Sequence, residues 1–463
     1  MRAVLTRRGF IGNCLAASAA VPLAAGVGSC AAGKPMKTIT AGEGRYAGRT
    51  GAAIQRAIDD AAAAGGGTVV VPPGVYMMHD ALHLRSGVHV LGQPGAVLKK
   101  VPSVQSPLLD YVGYGHYEIT VRDPEKFPPG TGIHILDDDA GGFYTTVGTV
   151  VAREGETLFI SRMLNHDYRP SRNARVVSVF PVVEGENISD AAVEGLTIDG
   201  SSGEETFTLN GCRGGGMFLI MCHRIVIRGV EITRYRGDAL SFQQCTDIVA
   251  EKCRIHHNTG HGLHPGSGSV RYVMRDCEVH DNGGCGLFYC LRTTHSICRG
   301  NVLRDNGRSG ISVGERDTDH LIEDNTIAGN GEEGIFFREP ARRSGDRVII
   351  RSNRIGPDGA KKARPEIVVP AGLRDVHVLD NRIAPASGCA AMSVAAGCAD
   401  ISFSGNEVAG RPQRAEDISG AAGAVTTAQP ARLPPVGPAA LPLDGARHLN
   451  VAALRPWEEW FRG

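Results

Sequence analysis

Asn258, Asn282, Asn306 and Asn330 are separated by 24 residues each, and no other feature of the chain restricts its fold so tightly. A second column, Cys253, Cys277, Asn301 and Asn325, keeps the same interval. It continues at Asn353, Asn381 and Asn406 with slightly longer steps. Gly262, Gly286, Gly310 and Gly334 make a third, each followed by Leu or Ile, and Ile255, Val279, Leu303 and Ile327 a fourth. Independent columns at one period mean a stack of equivalent units, none of which buries its apolar face alone.

The repeated unit reads as short strand, polar turn, short strand. RIVIRGVEI, YVMRDCEV and HLIEDNTI are rich in β-branched residues and show no 3.6-residue rhythm. About 24 residues suits three short strands and three bends, so the expected fold is all-β: a single right-handed parallel β-helix with coils about 4.8 Å apart. Stacked asparagines then satisfy one another's amides from coil to coil. Glycine (61 of 463 residues) supplies the bends. Cys253 and Cys277 head the second ladder and read as stacked buried thiols rather than a disulfide.

The flanks depart from the beat. In residues 50–64, Ala53, Ile54, Ala57, Ile58 and Ala61 share one helical face, and Gly65-Gly66-Gly67 ends the run. This is expected to be a helical cap over the open edge of the first coil. Residues 131–184 contain strand-like text (TVVAREGETLFI) without the period and read as a small β insertion. The solenoid is bounded at 31–427, and the Pro/Ala-rich stretch 428–463 is expected to be a tail along it.

Residues 1–30 carry Arg7-Arg8 before a weakly apolar run of small residues, the pattern of a twin-arginine export signal. The run ends at Val27-Gly28-Ser29-Cys30. That leaves two alternatives open, lipid attachment at Cys30 or ordinary peptidase cleavage nearby. Export is expected, to the periplasm, the outer membrane or the exterior. Membrane association is expected only through a lipid on Cys30. Lys+Arg and Asp+Glu are 49 each, so no basic excess exists to drive nucleic-acid binding.

IQRAIDDAAAAGGGTVVVPPGVY (residues 54–76), followed by Asn/Gly coils, resembles the pectate-lyase superfamily of right-handed β-helix proteins. It is most similar to the branch shared by pectate lyases, rhamnogalacturonases and epimerase-like enzymes, over about residues 45–410. The resemblance implies the fold and a polysaccharide partner. It does not fix a reaction, because this scaffold hosts lyases, hydrolases, epimerases and binding proteins. Its calcium-using lyases direct attention to Asp137-Asp138-Asp139 as a Ca2+ site, with a solvated loop as the alternative. Its polygalacturonase-like members supply a catalytic acid from an Asn-Thr-Asp stretch. Here Asn258-Thr259 is followed by Gly260-His261 instead, so the two-aspartate mechanism does not carry over.

The period also sorts side chains by face. Leu263, Leu287, Ile311 and Ile335 should point inward, and His264, Phe288, Ser312 and Phe336 outward. Asp238 and His261 stand at strand mouths. Glu315 and Glu339 share one position on adjacent coils, Arg292 and Arg316 the next, with Arg338 and Asp317 beside them. This patch, ~10 Å high, is either a surface ion-pair ladder or an anionic-sugar site in which arginines grip a uronate carboxylate. In the second reading His261, His264, Tyr289, Glu315 and Glu339 are the catalytic candidates. Asp238, Arg292, Arg316, Asp317 and Arg338 are the substrate-binding ones. His261 and His264 are spaced like metal ligands, but spacing pins no third ligand, so no metal site is assigned. Arginines to neutralise a carboxylate and a histidine or tyrosine base favour β-elimination, with hydrolysis, or a non-catalytic carbohydrate-binding solenoid, as alternatives.

Overall fold

The computed structural model describes residues 37–139, 144–203, 207–339, 345–359 and 363–441. The export segment, Arg7-Arg8 and Cys30 lie outside the described residues, as does 442–463.

Successive short strands feed three long sheets of 13, 12 and 11 strands among the described residues, parallel throughout except for the closing pair Glu407–Val408 and Arg411–Pro412. His223–Arg228, Glu231–Thr233 and Leu240–Gln243 lie one in each sheet. Thr246–Glu251, Arg254–His256 and Leu263–Gly266 repeat the cycle one coil later. Parallel neighbours joined in this way form a right-handed β-helix. The interior is a stack of aliphatic rungs. Ile232, Ile255, Val279, Leu303, Ile327 and Ile355 pair in unbroken register, all buried.

Both asparagine ladders form. Nδ2 of Asn258, Asn282 and Asn306 donates to Oδ1 of the next asparagine at 2.9, 3.0 and 3.0 Å, and Asn330 donates to Asp358 at 2.8 Å. Asn301, Asn325, Asn353 and Asn381 build the second ladder at 2.9–3.0 Å, which ends through Asn406 on Gln413. Each amide also donates to a backbone carbonyl, as Asn306 does to Val279 at 3.1 Å. The bends that carry the two ladders are thereby tied from coil to coil, at roughly 1 kcal/mol net per bond. Cys253 and Cys277 are buried free thiols that donate to carbonyl oxygens, and all ten described cysteines are free.

The helix α1 (Gly51–Ala63) buries Ala53, Ile54, Ala57, Ile58 and Ala61, and Thr50 caps it by accepting from the Ala53 amide at 3.4 Å. The insertion differs from the sequence expectation. Its six antiparallel strands run from Gln105–Pro107 to Arg175–Val177. Val183–Glu186 already belongs to the solenoid, in parallel register with Leu82–His83 and Met217–Ile220. Strands as short as QSP and EIT carry no alternation, so nothing in the text marked the earlier start. The insertion has its own core around Ile119, Phe127, Ile133, Ile135 and Leu158. Asp137, Asp138 and Asp139 are tied to the Arg169 amide, Arg175 and Arg172 rather than gathered about one point. Near the end of the described chain, the turn Pro438–Ala440 lies on Val270–Arg275 and Thr294–Arg299, and the Gly437 amide donates to Asp319 at 3.0 Å.

Candidate functional site

The strands Leu240–Gln243, Leu263–Gly266, Leu287–Phe288, Ile311–Val313 and Ile335–Phe337 stack in the 11-stranded sheet. Leu240, Leu263, Leu287, Ile311 and Ile335 face the core in register. Alternation therefore turns Ser241, His264, Phe288, Ser312 and Phe336 outward. Two residues further on, Gly266 and Cys290 are paired.

At the centre of this face Phe288 is covered by two groups. The His261 ring stacks on it at 4.1 Å between centroids and 10° between planes. The Arg338 guanidinium lies 4.1 Å from the same centroid. Arg338 is locked in place, donating to Ser312 Oγ at 2.8 Å and to the Tyr289 carbonyl at 2.6 Å. Gly314 makes room for it, since a Cβ there would sit 1.5 Å from Arg338 Nη2. His261 accepts from the Cys285 amide through Nδ1 at 2.9 Å, so the proton of the neutral ring belongs on Nε2. Burial, with Arg308 and Arg338 adding to it, pulls His261 down to about 4, so the ring is neutral near pH 7.

Beside this cluster lies a buried ion pair. His264 Nδ1 and Asp238 Oδ2 are 2.6 Å apart, and Asp238 Oδ1 accepts from the His261 amide at 2.7 Å. Burial alone would lower His264, but the Asp238 carboxylate outweighs it and holds the imidazole at about 9. Gly211 passes so close that a Cβ would fall 1.8 Å from Asp238 Oδ2. Its carbonyl accepts from Ser241 Oγ at 2.5 Å, which pins the loop before Met217–Ile220 onto the sheet. That loop delivers Cys212, whose amide donates to Asn210 Oδ1 at 2.9 Å. Cys212, Cys290 and His264 each bring one ligand atom within 4.8 Å of the other two. Of the two thiols, Cys290 is held low by its contact with Cys212 and by His264, and Cys212 is the one pushed up.

The candidates read from the sequence therefore separate. Asp238, His261, His264 and Arg338 come together around Phe288, although His264 and Asp238 are buried beside the face rather than open on it. Tyr289 does not join them. It is fully buried, stacked on His320 at 4.2 Å and accepting from Ser296 Oγ at 3.1 Å. Alternation dictates this, because Phe288 is outward and its successor must be inward. Asp317 is not a substrate-facing carboxylate. It accepts from the amides of Thr293 and Gly314 and from Thr293 Oγ1, at 2.8–3.0 Å, inside a bend. Burial raises it to about 6. Its Oδ2 is 3.8 Å from Arg338, a second-rank partner.

Arg292 and Arg316 are exposed bend residues with φ of 62° and 59°, and Arg316 is paired with Glu315 at 2.6 Å. This part of the patch is the surface ion pair that the alternative reading described. Glu339 lies elsewhere, on the rim of a cavity of about 330 Å³ lined by Phe336, Val368, Pro370 and Ser393. Sequence reasoning missed Phe288 as the platform and Cys212 and Cys290 as partners of His264. Cys290 was legible as an outward position one pair beyond Phe288, but Cys212 sits on a loop outside the period.

Comparison with known proteins agrees with this architecture. The family described as "Right handed beta helix region" matches residues 172–303, and "Rhamnogalacturonase A/epimerase, pectate lyase-like" matches 47–115. Among curated protein sequences none matches. The A-module of one Azotobacter vinelandii mannuronan C-5 epimerase superposes with a TM-score of 0.55 at 18% identity, covering 82% of this chain and 95% of that one. A second such module from the same organism gives 0.50 at 17%, with the same coverage. The Dettilon tailspike protein gives 0.51 at 14%, covering 83% of this chain and 68% of its own. At these identities the likeness speaks for the fold.

Proposed function

Taking the chain as a right-handed β-helix protein of the pectate-lyase-like superfamily, we propose that it acts on an acidic polysaccharide by β-elimination, on the face built around Phe288 and Arg338. The observation that carries the substrate class is the fixed Arg338 guanidinium, laid over a ring and held by Ser312 and the Tyr289 carbonyl. A preorganised guanidinium favours a planar carboxylate, which a uronic-acid residue supplies. The structural neighbours named as mannuronan epimerases support a polysaccharide partner.

Elimination requires the uronate charge to be neutralised, so that the adjacent C–H becomes acidic. It also requires a base for that proton and a donor for the departing glycosidic oxygen. Arg338 meets the first need, and the Nε2–H of neutral His261 is placed to donate. His261 commits Nδ1 to the Cys285 amide and Asp238 keeps His264 protonated, so these side chains do not themselves supply the proton acceptor. Hydrolysis with inversion needs two carboxyl groups about 6.5–9.5 Å apart with water between them. Asp317, the carboxylate recorded against Arg338, is engaged in its bend, Glu333 is paired with Ser309 and Arg364, Glu315 with Arg316, and Glu339 lies on a separate cavity. This favours elimination over hydrolysis.

Incubation with a panel of uronic-acid polymers should release products with ultraviolet-absorbing unsaturated ends. Arg338→Ala should cut that rate by about 100-fold or more, the scale of losing a preorganised charge-stabilising donor. New reducing ends released with only saturated non-reducing ends would reject elimination. A second reading, a non-catalytic binding protein, is favoured by Tyr111, Tyr114, Tyr117 and Tyr144 of the insertion, exposed at 54, 65, 52 and 60%. Retention of the polymers with no product would select it.

The Arg7-Arg8 motif supports a site of action outside the cytoplasm. Replacing both with Lys should leave the protein inside the cell, and unchanged secretion would reject the twin-arginine route.

A further inference from the structure

Next to Phe288, three side chains from three separate stretches of sequence converge. Cys212 comes from the aperiodic loop, His264 from Leu263–Gly266, and Cys290 from the following coil, with one ligand atom of each within 4.8 Å of the other two. A chance meeting of two thiols and an imidazole would leave the ring free to turn. Here it is fixed. Asp238 engages Nδ1 at 2.6 Å, and Asp238 is itself held by the His261 amide. The remaining nitrogen, Nε2, is buried on a residue only 3% exposed, where the Cys290 thiol is the group it meets and no oxygen or nitrogen pairs with it. A buried imidazole nitrogen matched only by a weakly hydrogen-bonding sulfur is poorly satisfied, so the arrangement is incomplete as it stands. A carboxylate that grips one imidazole nitrogen and leaves the other bare for a ligand is how metal centres orient their histidines.

We propose that Cys212, His264 and Cys290 bind a thiophilic ion of the zinc class, with Asp238 as the positioning residue behind His264. Two thiolates and an imidazole suit zinc and exclude the oxygen-seeking cations calcium and magnesium. Three protein ligands on a tetrahedral ion leave one position for water or substrate. On binding, the thiols give up their protons and His264 coordinates as the neutral ring, so uptake of the ion releases protons to solvent. No electrons move.

The His264 ring meets Phe288 edge-on at 5.3 Å, which sets the ion beside the platform where Arg338 holds the substrate carboxylate. Water on such an ion has its pKa brought near 7, which provides the base that the platform itself lacks. That last step rests on the polysaccharide reading above. The binding of the ion does not.

The test begins with the unmodified chain, purified without a histidine tag, reduced and stripped of metal. Cobalt(II) should produce a thiolate-to-metal charge-transfer band that saturates at one equivalent, with proton release, and zinc should abolish the band. Cys212→Ser and Cys290→Ser should each remove or reshape it. Asp238→Asn should keep the band while weakening affinity about 10- to 100-fold. Reduced thiols with no band, or a mass showing Cys212 and Cys290 joined as a disulfide in the protein as isolated from cells, would overturn the site. Polysaccharide turnover lost on chelation and restored by zinc, with polymer binding retained, supports the catalytic placement. Turnover indifferent to zinc overturns that placement and leaves elimination standing. A cobalt band in a protein that neither binds nor cleaves any polyuronide rejects the function and leaves the metal site standing.

Discussion

The solenoid and the inserted sheet are both β, yet they are held together differently. In the solenoid each coil is completed by the next, through in-register aliphatic rungs and amides that pass hydrogen bonds from one asparagine to another. The insertion closes on a private core, with Phe127, Ile133 and Leu158 packed among antiparallel strands. A defect in the first should be shared along the stack, whereas a defect in the second should stay local. The site draws on both styles of construction, since the regular coils present Phe288, His264 and Arg338, and an aperiodic loop brings Cys212 to them.

The sharpest test of that contrast is Asn306→Ala. It strands the Asn282 amide groups and deprives Asn330 of its neighbour, with two or three buried polar groups left unmatched. At about 1–3 kcal/mol each, the loss should be on the order of 3–5 kcal/mol, with a lower thermal midpoint and weakened hydrogen-exchange protection on both neighbouring coils. Protection lost on one coil alone would mean that the ladder is not cooperative. Leu158→Ala should cost about 2–4 kcal/mol as a cavity in the insertion. Its exchange signature should stay within residues 105–177, and loss of protection in the 24-residue coils would break the distinction.

These two variants also mark what the sequence could say. The ladder, its register and the inward and outward faces follow from a period that steric stacking enforces on every coil, so Asn306 was readable. The start of the insertion was not, because three-residue strands carry too little alternation to register. The error at Tyr289 was avoidable, since the alternation that put Phe288 outside put Tyr289 inside. Cys212 was out of reach, because its neighbourhood is set by a loop whose path depends on the contact of Gly211 with Ser241 and Asp238, far away in sequence.

A smaller effect is expected at Glu366, which burial and the adjacent Asp358 carboxylate push up to about 8. The folded state keeps a proton that the unfolded chain gives up near its ordinary, lower value. The contribution of Glu366 is therefore fully present below about pH 4.5 and is lost as pH rises towards 8, by at most about 1.4 kcal/mol per pH unit. Glu366→Gln should flatten the pH dependence of the thermal midpoint in that window, and an unchanged slope would show that the carboxyl is ionised when buried. Smallest of all, Glu315→Ala should shift stability by no more than about 0.5 kcal/mol and leave turnover intact, as an exposed pair with Arg316 implies. A large loss of turnover would return Glu315 to the chemistry.

The asparagine ladders run one way. Each amide gives its hydrogen towards the higher-numbered coil and receives one from the coil before, until Asp358 and Gln413 close the two series. Such a row has interchangeable middle members and dedicated ends. Asp358 accepts from both the backbone and side-chain nitrogens of Asn330 and passes nothing on. Whole turns can therefore be duplicated or deleted between Asn258 and Asn330 with the seams already matched. Growth beyond Asp358 would require a new terminator, which makes coil number, and with it the length of the outward face, the property of this architecture most open to change by simple gene duplication.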